Sequence, residues 1–398
     1  MRAPAYLLTM AGTIAALALC TIVFTMLVDP YRMFGTPTVP RLTELKPRAV
    51  EQLGIAKTYQ LERIAPKTLL LGNSRSEIGL DPMSPRFPAD QRPVFNASYP
   101  GRNICTSLLM LRDAIAVPVP EHIILGIDFQ DMLTSGASRP SDFERRLLVD
   151  ESGRNTQREW QVWKDRIAAT LTIGALLDSI TTVVDQDPVY SATITELGFN
   201  PLHEYREFVR RSGYYGLFSA KKAAYDKQYA ALPIPDFFHP SPAMVQQDRC
   251  FAKLAKLAMA HRIRLTVYIH PYHVNFLDML AHFGFWESFE DWKRHLVEQV
   301  AELDPDGNEI RVIDFSGYNE FTTEPVPGRG DTKTEMRWYW EPGHYKSALG
   351  EHILERIFDG PGRFGRDLTR ATIESALAEI RDERKRFVRL SAGGPAGG

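Results

Sequence analysis

The chain is 398 residues long, 44% hydrophobic and 24% charged, and 47 basic against 49 acidic side chains leave a net charge of −2. That length supports one large domain or two ordinary ones, and the near-neutral balance excludes an electrostatic binder of nucleic acid. Three cysteines are too few for a disulfide framework or a Cys-based zinc module, and the apolar content is too high for disorder.

No charged residue lies between Arg2 and Asp29. Ala5–Val28 is 24 mostly apolar residues, roughly 36 Å as a helix and enough to cross a bilayer. A cleavable signal peptide has a shorter apolar core and a small-x-small exit. The run instead leaves through Met26-Leu27-Val28-Asp29-Pro30-Tyr31. Leu17-Ala18-Leu19-Cys20 is a poor match to a bacterial lipobox, because no small residue precedes Cys20 and the apolar run continues past it. Residues 1–28 therefore read as a short tail and an uncleaved single-pass anchor whose partner, through residues 5–28, is membrane lipid. A cleaved leader, a lipoprotein and a buried soluble helix are the alternatives.

Arg32, Arg41, Lys46 and Arg48 follow the span while only Arg2 and the amine precede it, a bias against export; large C-terminal domains translocate largely regardless of charge. If the domain is exported, Cys105 and Cys250 can form a disulfide.

Residues 29–66 read as a juxtamembrane connector with one helix near Pro47–Ile64. An α/β domain is expected over 67–360. Its strands are Thr68–Gly72, Pro93–Asn96, His122–Asp128, Arg264–Ile269 and Ile310–Phe315, and helices fall at Gly101–Ala116, Ala243–Ala260, Ser288–Leu303 and His344–Phe358. Such alternation implies a mostly parallel sheet covered on both faces, with ligands beyond the carboxyl ends of the strands. Residues 131–242 break the alternation. They hold an amphipathic segment near Thr156–Val184 and ten Phe or Tyr among the forty residues Phe199–Phe238, and read as an inserted helical, aromatic-rich cap. Residues 361–398 read as a helix, Leu368–Leu390, and a flexible Gly/Pro end. The Arg384-Lys385-Arg386 cluster on that helix reads as a solvated face.

Three strand ends carry chemistry. In Leu70-Leu71-Gly72-Asn73-Ser74-Arg75-Ser76 a serine follows a buried strand and a glycine, where its hydroxyl is exposed on a turn and its amide opens a helix. Capping that helix is its ordinary structural use, and Ser76 is the rival nucleophile. In Trp340-Glu341-Pro342-Gly343-His344 a carboxylate three residues from an imidazole can fix its tautomer and raise its basicity; complementing a helix dipole is the plainer use. The third is Gly126-Ile127-Asp128.

Together these blocks resemble the SGNH/GDSL hydrolase superfamily. In that family a Gly-Asp-Ser block supplies the nucleophile, a glycine and an asparagine from later strand ends complete the oxyanion hole, and an Asp-x-x-His block supplies the base. Gly72-Asn73-Ser74 matches the first block with Asn for Asp. Asn96-Ala97-Ser98-Tyr99-Pro100-Gly101 matches the glycine block, making Gly101 the backbone donor. Asp128 stands where the asparagine is expected, and Glu341-x-x-His344 fits the last block with Glu for Asp. The resemblance implies a three-layer, SGNH/flavodoxin-like fold and a membrane-anchored serine esterase or O-acyltransferase with an acyl-Ser74 intermediate. His344 is its base and Glu341 orients it. It further implies a bacterial inner-membrane setting with the domain on the periplasmic side. The substrate is a cell-envelope or exported polysaccharide with an acyl donor, and a polytopic membrane acyltransferase is a partner. Asn73, Asn96, His270 and the aromatic pair Trp338 and Trp340 are expected at the substrate.

Glu for Asp keeps the carboxylate on a longer arm. Asp for Asn is a larger change, since an ionised carboxylate only accepts hydrogen bonds and repels an oxyanion. Either Asp128 is protonated or turned away, or Asn73, Asn96, Asn103 or a backbone amide takes its place. The remaining alternative is a catalytically inactive glycan-binding or scaffold subunit. His270 and His273 with His344 and Glu341 can supply zinc ligands; the expectation is no metal and no cofactor.

Overall fold

A computed structural model describes residues 3–133, 141–149 and 153–393. Its first elements are α1 (Ala3–Val28), α2 (Leu53–Ile64), β1 (Thr68–Leu71), α3 (Ser74–Gly79) and β2 (Val94–Asn96). Then come α4 (Ile104–Ile115), β3 (His122–Ile127), α5 (Gln130–Leu133), α6 (Ser141–Arg146), α7 (Arg158–Thr170) and α8 (Ile173–Val184). The middle holds α9 (Glu204–Tyr229), which breaks at Gly213, α10 (Pro242–Ala260), β4 (Arg264–Ile269), α11 (Val274–His282) and α12 (Trp286–Leu303). The chain closes with β5 (Ile310–Asp314), β6 (Tyr339–Glu341), β7 (His344–Tyr345), α13 (Ser347–Phe358), β8 (Arg366–Asp367) and α14 (Ile373–Gly393).

The chain forms two compact units, Met1–Ile64 with Arg139–Arg206, and Ala65–Ser138 with Glu207–Gly398. The division differs from the expected one. Of the segment 29–66 read as a connector, residues 29–64 fold with 139–206, and residues 207–242 of the expected insertion belong to the α/β unit. The Gly/Pro end, residues 394–398, and residues 134–140 and 150–152 of the insertion lie outside the described residues.

In the α/β unit, Thr68-Leu69-Leu70-Leu71 and His122-Ile123-Ile124-Leu125-Gly126-Ile127 are buried at every position, the pattern of strands covered on both faces. The six-stranded sheet has the order β2-β1-β3-β4-β5-β8, parallel except for the β8 edge. Leu70 pairs with Ile124, Ile124 with Thr266, and Val267 with Val312. The strand order reverses between β1 and β3, which puts the loops after these two strands on either side of a crevice at the carboxyl edge. Cys105 on α4 and Cys250 on α10 are joined by a disulfide, Cα atoms 5.0 Å apart.

One element departs from its sequence reading in a way that matters. His344 does not open a helix. Glu341 and His344 are partners across the β6–β7 hairpin, whose turn is Pro342-Gly343. The Lys346 amide donates to the Trp338 carbonyl at 2.7 Å, and the helix begins only at Ser347. A Pro-Gly pair suits a tight turn between strands, and here the chain uses it as one.

In the anchor unit, α1 is apolar and long enough to cross a membrane. Its last carbonyl, that of Val28, accepts from the buried Lys46 ammonium. Asp29 turns the chain by accepting from the amides of Met33 at 2.7 Å and Gly35 at 2.9 Å. Tyr31, Met33, Ile55, Tyr59, Ala169 and Ala175 form a small core. Beneath it Asp165 accepts from Tyr59 Oη at 2.8 Å and from both arms of Arg146.

Candidate active site

The loop after β1 starts with Gly72 (φ +143°), where a Cβ would lie 2.3 Å from Ser76 Oγ and 2.9 Å from the Gly126 carbonyl. Only glycine lets the chain pass this close to β3. Asn73 then caps α3, its Oδ1 accepting from the Arg75 amide at 3.0 Å. Ser74 is the first helical residue, half-buried, with its hydroxyl turned to the hairpin. Ser74 Oγ is 2.8 Å from His344 Nε2.

Across the imidazole, His344 Nδ1 bonds Glu341 Oε1, and the other carboxylate oxygen accepts from the Gly343 amide at 3.0 Å. The relay grades from surface to interior: Ser74 and His344 are partly exposed and Glu341 is fully buried. Burial alone would raise the Glu341 pKa, but the His344 charge and hydrogen bond, then Lys221 and the Gly343 amide, hold it at about 2. The carboxylate is thus ionised at neutral pH and fixes the tautomer that leaves Nε2 free to accept from serine.

Ser76 is fully buried beneath Gly126, and its hydroxyl bonds Tyr268 Oη at 2.8 Å. It is in no position to attack a substrate.

Asp128, the sequence anomaly, is the centre of a buried network. It is ion-paired with Arg75, and it accepts from Asn73 Nδ2 at 2.9 Å, Tyr272 Oη at 2.9 Å and the Gln130 amide at 3.0 Å. Its carboxylate is compensated by a cation and filled with donors, so it is turned away from any oxyanion. Arg75 also donates from Nε to the Gly343 carbonyl at 2.7 Å and lies over the Tyr272 ring at 5.2 Å and the Phe276 ring at 5.3 Å. One guanidinium therefore joins the helix that Ser74 opens, the loop after β3 and the turn between Glu341 and His344.

The residues expected at the substrate fare differently. Asn96 is fully buried and spends its carboxamide inside, donating to the carbonyls of Ser76 and Leu80 at 2.9 Å and accepting from the Ser98 amide at 3.1 Å. Asn73 is likewise committed at both ends. His270 is fully buried, with Nδ1 3.3 Å from Tyr345 Oη. Burial first, then the charges of Arg75 and His344, push its pKa well below the usual histidine range. From there it reaches no substrate. Trp340 is 7% exposed with Lys346 Nζ 4.3 Å from its ring centroid, which leaves no sugar platform. Trp338 keeps partial exposure, edge-on to Phe321 and under the Arg337 guanidinium. His273, weighed as a metal ligand, caps α11 through Nδ1 and donates from Nε2 to the Glu324 carbonyl at 2.9 Å. Gly101 is exposed at φ +64°, in the loop whose Tyr99 amide donates to the Gly72 carbonyl at 2.9 Å.

Arg75, Tyr272 and Tyr268 were not singled out in the sequence. For Arg75 a signal exists: a lone aspartate closing a buried strand needs a cation, and the arginine beside Ser74 opens the adjacent loop. Comparison with family models and with curated proteins finds no match to this chain.

Proposed function

We propose that this protein is a membrane-anchored serine esterase or O-acyltransferase of the SGNH type, acting through an acyl-Ser74 intermediate. The observation that carries the reading is the Ser74–His344–Glu341 relay, with Oγ and Nε2 2.8 Å apart, at the carboxyl edge of a parallel sheet. The order 2-1-3-4-5 of the first five strands, shared with flavodoxin-like sheets, agrees with the three-layer SGNH fold.

In the forward half-reaction Ser74 Oγ attacks the acyl carbonyl carbon while His344 Nε2 takes the hydroxyl proton. The carbonyl electrons move to oxygen, where the Ser74 amide, an orphan donor at the start of α3, and the Gly101 amide receive the charge. Collapse expels the alkoxide, which takes the proton from His344. Water or a sugar hydroxyl then repeats the steps in reverse, giving hydrolysis or transfer with the same groups. Asp128 has no part in the oxyanion hole. Asn103 suits that place better: its Oδ1 caps α4 through the Cys105 amide at 3.1 Å, and its partly exposed Nδ2 bonds no described residue.

The disulfide favours the exported orientation, because structural disulfides persist in oxidising compartments; this outweighs the basic residues after the span. We therefore read the α/β unit as periplasmic, on a bacterial inner membrane. The polysaccharide acceptor and a polytopic acyltransferase partner follow from the SGNH resemblance.

A fluorophosphonate probe tests the reading. Labelling of the full chain that vanishes in Ser74→Ala and survives in Ser76→Ala supports it. Absence of labelling in the folded protein favours the inactive glycan-binding or scaffold subunit instead.

A further inference from the structure

Helix α8 is built inside out. Its small and hydroxylated residues Ala175, Ser179 and Thr182 are buried, while Ile173, Leu177, Ile180 and Val184 are 78%, 57%, 45% and 78% exposed. These four recur at the spacing of one helical face. A helix of a water-soluble unit turns such a face inward. The buried hydroxyls are satisfied within the helix, Ser179 donating to the Ala175 carbonyl at 2.7 Å and Thr182 to that of Asp178 at 2.8 Å. Small residues at a contact and hydroxyls bonded to their own helix are habits of helices packed in lipid. The single charge on α8, Asp178, is tied to Tyr31 Oη at 2.5 Å and to Arg48 at 3.4 Å.

What α8 packs against identifies its surroundings. It contacts α1, as does α7. Exposure along α1 falls at Ala18, Thr21, Ile22, Phe24, Thr25 and Val28, one side of the last turns of the apolar span. Thr25 Oγ1 donates to the Thr170 carbonyl at 3.2 Å, at the joint where α7 and α8 meet with a 59° bend. Ala18 to Val28 is about 15 Å of helix, half of a ~30 Å hydrocarbon layer. A helix lying along that stretch is at the depth of acyl chains if α1 crosses the bilayer. On α7, Trp160 and Trp163 stack with centroids 4.9 Å apart and are 63% and 53% exposed. Tryptophan is enriched at the membrane–water boundary, where its ring sits at the level of the headgroups.

We propose that α8, together with the Trp160–Trp163 pair, is a second membrane-inserted element. It lies in phospholipid against the C-terminal part of α1, with Ile173, Leu177, Ile180 and Val184 facing acyl chains. The inference rests on the reading of α1 as a span.

The test uses the full chain in phosphatidylcholine vesicles carrying a photoactivatable diazirine phospholipid, with adducts mapped by peptide. Adducts on residues 5–28 and also on 160–184 are expected. Adducts on 5–28 alone overturn the second element while leaving the span intact; adducts on neither overturn both. In vesicles of dibrominated phosphatidylcholine, tryptophan quenching is expected to fall steeply in Trp160→Phe/Trp163→Phe, two exposed positions at which folding is undisturbed. Unchanged quenching overturns the proposal. So does cross-linking of residues 173–184 to a second copy or another protein in intact membranes, in place of lipid.

Discussion

In the α/β unit, α10 turns Met244, Phe251 and Leu254 inward and leaves its lysines outside, whereas in the anchor unit α8 buries Ala175, Ser179 and Thr182 and shows its aliphatic side chains. The same twenty side chains are sorted by opposite criteria within one chain. The hydrophobic effect sorts them only where the outside is water. Where the outside is hydrocarbon, close approach of backbones and satisfied hydroxyls decide instead. The contrast extends to polar groups. The α/β unit concentrates buried charge where strands end, at Arg75–Asp128 and at Lys293–Asp314, the latter 2.7 Å apart. The anchor unit uses Lys46, Arg32 and Arg63 to hold carbonyls of the segment that leaves the span and of the chain folded around it.

The largest expected effect is at the relay: Ser74→Ala lowers turnover of an activated ester by about 10³-fold or more, with Ser76→Ala close to the parent. Next is Asp128→Ala. It strands the Arg75 guanidinium in the interior and is expected to cost about 3–5 kcal/mol in denaturant unfolding; an effect near zero would break the claim that Asp128 is structural. Cys105→Ser/Cys250→Ser should cost about 2–4 kcal/mol, read as a lower thermal midpoint.

Acid follows. Burial, with Arg264 adding to it, holds the His122 pKa at about 3, and burial, outweighing the Glu324 carbonyl and the Glu341 charge, holds that of His273 at about 4, both below the usual 6.5. Their stabilising contribution is therefore complete above pH 6.5 and lost as pH falls through these values, because the unfolded chain binds the protons first. The thermal midpoint should drop across that window, and less steeply in His122→Gln. Glu341 obeys the same sign lower down, its contribution present above 4.5 and lost as pH falls through about 2.

The smallest effect sharpens the comparison most. Leu71→Ala, at a fully buried strand position, is expected to cost about 2–5 kcal/mol. Leu177→Ala on α8, measured in detergent, should stay within about 0.5 kcal/mol.

Strand runs were legible because continuous apolar segments bounded by turns have few other uses, and β4 falls at the expected residues. Ser74, Glu341 and His344 were legible because their spacing is chemical. What sequence could not supply was partnership across distance. Whether Asp128 faces an oxyanion or a cation depends on Arg75, 53 positions away in the chain but on the adjacent strand's loop. The hairpin at His344 escaped because Pro-Gly serves a strand turn as well as a helix start. The inside-out face of α8 has the periodicity of any amphipathic helix, and periodicity does not say which side is outside.

The ammonium of Lys46 on the Val28 carbonyl changes what removal of the anchor would mean. A leash can be clipped and leave its cargo whole. Here proteolysis at the end of the span would take away the Thr25 and Val28 contacts and leave a buried amine without its acceptor. Shedding and unfolding of that unit should therefore coincide. A water-soluble fragment begun at residue 30 should lose its N-terminal unit, and one begun near Ala65 should leave residues 139–206 without Tyr31, Met33, Ile55 and Tyr59, the other half of their shared core.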